Sequence, residues 1–388
     1  MTIANNINQT TETTCAPLDT KAIHSPELIP HTEYAQKLRP LLPPEAFQPD
    51  FNKVWLLLIN VLILISGWAI ASYLDRWSVY YLWLFIPIAI VMGNSITVLG
   101  FSSHGLMHNS AIQNPKLRQF LSLLGFTMLW MPPTLWKAVH NREHHHKTNS
   151  EQDPDRNYTF TQVNSWGKWF QNLLLPSSEV NPILLVLGMM HVWGLYTFRH
   201  LSSVLLFDNG WNPRKANYPV ATFSVSNKDR QLIVAELFLI MGFHGAVLAS
   251  LQFSPIKILL GYFLPIWIGY AIAIFYIYTN HLLCPMTETN DALVNSLSIR
   301  VPKICDALHI NFSYHTEHHI FPSLNPDYYP LVQQLLIAHY PERFNLVDAS
   351  RAWQLMRETP RHYLDAYTLT DWTGSKAIPC PNLNHKGA

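Results

Sequence analysis

The sequence predicts an all-α membrane protein, with four transmembrane helices arranged as two hairpins under a cytoplasmic helical cap that carries clustered histidines. Three observations support that class. Of 388 residues, 49% are hydrophobic and only 13% are charged, a balance that suits a membrane protein better than two soluble domains. Four apolar runs are long enough to cross ~30 Å of hydrocarbon at ~1.5 Å per residue. Nineteen histidines are present, and they gather in three short motifs that each follow an apolar segment.

Residues 1–50 are rich in Thr, Asn and Pro (Pro40, Pro43, Pro44, Pro49) and lack an apolar signal-peptide core, so they are expected to form a flexible N-terminal arm. The first hairpin pairs a charge-free run at about 54–74 with a second at about 78–102, across the turn Asp75-Arg76. The second hairpin pairs 232–253, which carries only Glu236, with 258–280, across Ser254-Pro255-Ile256-Lys257. Two further apolar stretches are read as interfacial or re-entrant: Phe120 to Trp136, broken by Pro132-Pro133, and Ile183 to Phe207, interrupted by His191, Arg199 and His200. On this four-span reading 24 of the 26 Lys and Arg residues fall on one face, which the positive-inside rule places in the cytoplasm together with both termini. Asp327 to Tyr340 suits a surface helix, and residues 346–388 form a polar C-terminal tail.

A formal net charge of +1 lacks the basic excess of a nucleic-acid binder. Cys15, Cys284, Cys305 and Cys380 form no CxxC pair, which removes the basis for a zinc ribbon, a redox dithiol or a disulfide scaffold.

The histidine clusters are His104-Gly-Leu-Met-His108, His140-Asn-Arg-Glu-His144-His145 and His315-Thr-Glu-His318-His319. A residue four positions along an α-helix returns to the same face, so His104 is expected to share a face with His108, His140 with His144, and His315 with His319. His145 and His318 flank those faces. A single HxxxH arises readily by chance, whereas three such clusters in one chain do not. Two crossings between the second and third clusters bring all three to one side of the membrane. A set of imidazoles suits a transition metal such as iron, while magnesium or calcium would call for carboxylates.

In order and spacing these clusters resemble the histidine boxes of the integral membrane fatty acid desaturases and their hydroxylase and ketolase relatives. The likeness extends over about residues 50–345. It is sharpest in His144-His145-His146-Lys147-Thr148-Asn149 and in the run from Asn311 to Pro322. The resemblance implies that residues 51–345 form the catalytic domain. It further implies a non-haem centre of two iron ions held by the eight box histidines and one more, for which His281 at the end of the fourth span is the candidate. O₂ is the implied co-substrate, and a fatty acyl chain, carried on a lipid or as an acyl thioester, loses two hydrogens. No catalytic side chain is needed beyond the metal ligands. His146, Asp153, Asn280 and Glu317 are candidates to support or orient the ligating rings. The third box begins with His315 rather than Gln and no HPGG segment occurs, which implies a separate electron donor of the ferredoxin or cytochrome b5 type.

The same scaffold is compatible with a lipid hydroxylase, ketolase, acetylenase or oxidative decarboxylase. A membrane zinc hydrolase fits less well, since zinc takes three or four protein ligands, and a metal transporter would place polar groups at the bilayer midplane. Glu236 is expected to reach the interface, and His244 to satisfy itself against backbone carbonyls. Trp130 and Trp136, in the segment leading into the second box, are the expected wall of a substrate tunnel.

Overall fold

A spacing of four places Tyr34, Leu38, Leu42 and Ala46 on one side of the chain, and this stripe governs how the N-terminal segment folds. In the structure, a computed structural model describing residues 26–108, 112–155, 175–207 and 223–383, α1 (His31–Leu38) and the short turns after it bury all four against Ile320, Phe321, Leu324 and Val332. Residues 1–25 of the expected flexible arm lie outside the described residues, but residues 26–50 are packed. Their prolines and threonines mask an apolar stripe that composition alone does not reveal. Asp291 secures the segment, accepting from Ile29 N at 2.8 Å, Tyr34 Oη at 3.1 Å and Arg343 Nη2 at 2.6 Å.

The first hairpin forms as expected from α2 (Asn52–Ala71) and α3 (Ile86–Met107). Next come α4 (Pro115–Phe126), whose N-terminus is capped by the Asn114 side chain, and α5 (Pro133–Trp136), which runs on through a π-helical stretch, Lys137–His144, into His145–Lys147. The chain then forms α6 (Pro182–Ser202), α7 (Asn227–Ser250) and α8, which opens at Pro255–Ile258, passes a π-helical turn and continues as Leu264–His281. Small residues let α3 and α8 approach closely. A Cβ on Gly93 would lie 2.6 Å from Ile268 Cγ2, one on Gly269 would lie 2.8 Å from the Gly93 carbonyl, and Thr97 Oγ1 donates to Gly269 O at 3.0 Å.

Among the described residues five helices, not four, are long and apolar enough to cross a membrane, and the additional one is Pro182–Leu206. The stretch expected to be interfacial or re-entrant is thus one continuous helix. Its polar residues do not break it: His191 bonds back to Leu187 O at 2.8 Å, and Arg199 lies in the last turn, where it donates to Pro154 O at 2.6 Å. The other ambiguous stretch, Phe120 to Trp136, divides between α4 and α5 at Trp130, which adopts a left-handed backbone with φ 56°.

Beyond α8 lie α9 (Ala292–Asn295), α10 (Lys303–Leu308), α11 (His315–Ile320), α12 (Tyr329–His339) and α13 (Ala349–Glu358). Strand β1 (Ser298–Arg300) pairs in parallel with β2 (Leu346–Asp348), while β3 (His362–Asp365), β4 (Thr368–Thr370) and β5 (Ala377–Pro379) form an antiparallel sheet. The polar C-terminal tail is therefore folded through residue 383. Buried Arg361 joins it to the rest of the chain, donating to Pro176 O and Leu282 O at 2.8 Å and to Met356 O at 2.6 Å.

Candidate metal centre

The three histidine clusters converge at one end of the helices. His104 occupies the last turn of α3 and His108 its C-cap, α5 carries His140, His144 and His145, α8 ends on His281, and α11 presents His315, His318 and His319. They sort into two groups, His104, His108, His140, His145 and His318 in one, and His144, His281, His315 and His319 in the other. Within each group one ligand atom from every residue lies within 4.8 Å of the rest. The groups adjoin, with the His145 and His319 ring centroids 4.6 Å apart.

The rings of all three expected same-face pairs adjoin, His140 stacking on His144 with centroids 5.0 Å apart, but His140 groups with His145 while His144 joins the other set. The π-helical winding of α5 explains this difference. The His145 amide bonds to His140 O, five residues back, so His145 as well as His144 comes round to the His140 ring. One short helix thereby supplies histidines to both groups.

The spacing of the nitrogens suits ions at both places. In the first group His104 Nε2 and His318 Nε2 are 2.9 Å apart, His140 Nε2 and His145 Nε2 3.1 Å, and His145 Nε2 and His318 Nε2 3.2 Å. In the second, His281 Nε2 and His315 Nε2 are 2.7 Å apart, and His315 Nε2 and His319 Nε2 3.0 Å. Two nitrogens bound to one ion at ~2.1 Å and at right angles to each other lie ~3.0 Å apart. His108 Nε2 is buried without a hydrogen-bond partner, a state that coordination would relieve. Burial, reinforced by the neighbouring imidazoles, holds His140, His145, His315, His318 and His319 well below the usual imidazole range and brings His108 down to about 3. These rings are therefore neutral, the form a metal requires. His144 differs: burial lowers it, but the charge and hydrogen bond of Asp153 outweigh burial and raise it.

Several rings are oriented through their second nitrogen. His144 Nδ1 meets Asp153 Oδ2 at 2.9 Å, His281 Nδ1 meets Asn295 O at 3.0 Å, His318 Nδ1 meets Tyr329 Oη at 3.0 Å, and His319 Nδ1 meets Thr148 Oγ1 at 3.3 Å. Such partners fix ring orientation and the nitrogen left free for a metal.

The model of the fatty acid desaturase family matches residues 81–350, more than half of the chain. The chain belongs to the fatty acid desaturase family. Among curated proteins, an sn-1 acyl-lipid omega-3 desaturase (ferredoxin) of Nostoc sp. (strain 36) is 28% identical over 144 residues, 37% of this chain and 37% of that protein. A chloroplastic omega-6 fatty acid desaturase of Glycine max is 32% identical over 109 residues, 28% of this chain and 24% of that protein. The chain thus spans about a third or less of the length of the curated relatives it matches.

Of the residues expected around the centre of this desaturase-family chain, Asp153 meets His144. The other three do not contact a ligand nitrogen. His146 is exposed and belongs to neither group. The side chain of Asn280 is buried with neither polar atom partnered. Glu317 turns away from the rings to accept from Ser298 Oγ at 2.5 Å and Gln333 Nε2 at 2.8 Å, and burial pushes its carboxyl up to about 7. Tyr329, Thr148 and the Asn295 carbonyl meet the second nitrogens of His318, His319 and His281 without having been expected to. The distance of Tyr329 from any histidine box gave no signal, whereas Thr148 lies inside the box sequence.

Trp136 lies against the centre, its ring stacked on His140 with centroids 4.4 Å apart. Trp130 stacks instead on His244 at 4.0 Å, within the membrane-spanning region. As expected, His244 meets a backbone carbonyl, Thr127 O at 2.9 Å, and Tyr262 Oη lies 2.8 Å from its other nitrogen. Glu236 is buried against Gln119 and Thr134. A narrow cleft touches His104, His315 and His318, with Phe101, Ser102 and Phe312 among its walls. Phe101 and Phe312 stack face to face at 3.7 Å, and the left-handed backbone of Ile310 and Asn311 (φ 57° and 55°) precedes Phe312.

Proposed function

We propose that this protein is an O₂-dependent fatty acyl desaturase that introduces a double bond at a two-iron centre. His104, His108, His140, His145 and His318 would hold one iron, and His144, His281, His315 and His319 the other. The observation that carries this reading is the division of nine converging imidazoles, seven buried and two half-buried, into two adjoining groups with ligand-like spacing. When bound, the irons supply reductive O₂ chemistry able to remove hydrogen from an unactivated methylene. The chain's own residues bind, orient and exclude water. Asp153, Tyr329, Thr148 and Asn295 hold the rings in register, and burial keeps solvent from the site.

The acyl chain is assigned to the cleft beside His104, His315 and His318, where the Phe101–Phe312 stack offers an apolar wall. Trp136 backs the ligands rather than lining this cleft. The substrate is an acyl lipid or acyl thioester, and electrons come from a separate donor, for which the ferredoxin named for the Nostoc relative is the favoured type. In the membrane α2, α3, α7 and α8 cross, with the site and both termini cytoplasmic. Helix α6 is assigned to the side of the site: Ser178 N donates to Thr359 O at 3.0 Å just before it, and near its end Arg199 reaches Pro154, next to Asp153, which meets His144.

Mass spectrometry of acyl products from cells expressing the chain tests the reaction. The proposal requires a product lighter by two hydrogens with carbon number unchanged. A product gaining oxygen, or losing a carbon, would replace desaturation with hydroxylation or decarboxylation.

A further inference from the structure

We infer that Glu236, about one turn inside the apolar run of α7, is a positioning residue for the second histidine cluster, acting as a surrogate N-cap for α5. The inference rests on reading His140, His144 and His145 as metal ligands.

Helix α5 starts without a cap of its own. Its N-cap residue is Pro132, which offers no side-chain acceptor, and Pro133 at the first position has no amide hydrogen. Thr134 therefore holds the first free amide donor of the helix, in surroundings where water is scarce. Glu236 supplies the acceptor from another helix: its Oε2 accepts from Thr134 N at 3.1 Å and its Oε1 from Thr134 Oγ1 at 2.8 Å. Gln119 Nε2 of α4 closes the arrangement, donating to Glu236 Oε1 and, at 3.0 Å, to Thr134 Oγ1. Glu236 is 3% exposed and Thr134 9%, so these bonds face no competition from bulk solvent. A surface cap would contribute only to helix stability, but this one joins α4, α5 and α7 at a single point.

The consequence reaches the centre through α5. Trp136 is two residues beyond Thr134 and stacks on His140, while the π-helical stretch that follows divides its histidines between the two groups. A shift or rotation at Thr134 would displace ligands in both groups at once. A buried carboxyl group is expensive unless its oxygens are satisfied, and among the described residues Thr134 and Gln119 satisfy both.

Three variants of the full chain in detergent test this: Glu236→Ala, Glu236→Gln and Thr134→Val. Hydrogen exchange of the metal-free protein reads local order, and anaerobic Fe(II) titration reads the affinity of the centre. Glu236→Ala is expected to speed exchange across residues 133–147 by about tenfold, leaving α2, α3 and α8 unchanged, and to weaken Fe(II) binding by ~10-fold or more. Glu236→Gln keeps an acceptor for Thr134 N and is expected to restore both readouts to within about threefold of the parent, with Thr134→Val intermediate. Unchanged exchange over 133–147 in Glu236→Ala would overturn the inference, as would loss of protection spread over the whole chain with no rescue by Glu236→Gln. If the parent itself binds no Fe(II), the two-iron reading fails, and the exchange experiment still decides whether Glu236 positions α5.

Discussion

His104 Nε2 and His318 Nε2 lie 2.9 Å apart although 214 residues separate them in sequence. One is delivered by the last turn of a membrane-spanning helix and the other by a six-residue helix beyond the last span. Two buried imidazoles at this distance either share an N–H···N hydrogen bond or would offer both nitrogens to one ion. The relationship makes the first and third clusters parts of one site.

The ring of His318 is held by Tyr329, whose hydroxyl is 3.0 Å from Nδ1 and whose side chain is buried. Tyr329→Phe removes that bond with little change of shape. It is expected to weaken Fe(II) binding at the first group by ~10-fold to ~100-fold while folding is retained, as measured by anaerobic metal titration alongside thermal unfolding.

Asp153 has a double role. Its Oδ2 meets His144 Nδ1 at 2.9 Å and accepts from Asn149 N at 2.8 Å, so it orders both a ligand and the turn after the second box. His144 belongs to the second group alone among the α5 histidines. Asp153→Asn should therefore lower metal content from about two ions toward one, with the survivor in the first group. Metal analysis of this variant beside His108→Ala, which removes a ligand of the first group only, separates the two sites. Equal loss at both would show that Asp153 acts on the fold as a whole.

Much of this arrangement is legible in the sequence because it rests on local rules. Apolar runs of sufficient length give α2, α3, α7 and α8, and fourfold spacing pairs His104 with His108 and His315 with His319. What escapes is set by winding and by partners distant in sequence. The exchange of His144 for His145 within the groups comes from a π-helical stretch that no spacing rule announces, and Tyr329 is identifiable only once α12 has packed against α11. Residues 26–50 read as an arm by composition, yet Tyr34, Leu38, Leu42 and Ala46 form a buried stripe. The continuity of α6 escaped because His191 and Arg199 look like interruptions, whereas each finds a backbone carbonyl.

Ser102 lines the cleft beside His104, and its hydroxyl is buried without a partner. Ser102→Phe places a bulky ring in that space while all nine histidines remain in the chain. Iron content is expected to stay at the parental value while double-bond formation falls by at least tenfold, or moves along the acyl chain, as read by product mass spectrometry. Unaltered products would place the acyl chain elsewhere.

Gly125 is where α4 meets α3 one turn from His104. A Cβ there would fall 1.9 Å from Ser103 Oγ and 2.9 Å from Leu99 O. Gly125→Ala must push the helices apart and is expected to destabilise the protein by about 1–3 kcal/mol. Thermal unfolding in detergent measures the loss.

The central claim is that nine histidines hold two irons, and metal content per chain tests it most directly. Iron and zinc should be measured in detergent-purified protein, beside a variant carrying His315→Ala, His318→Ala and His319→Ala, which removes ligands from both groups. The account requires about two irons per chain, lost from the variant while its helices remain folded. Stoichiometric zinc with negligible iron, under conditions that prevent metal exchange, would contradict it.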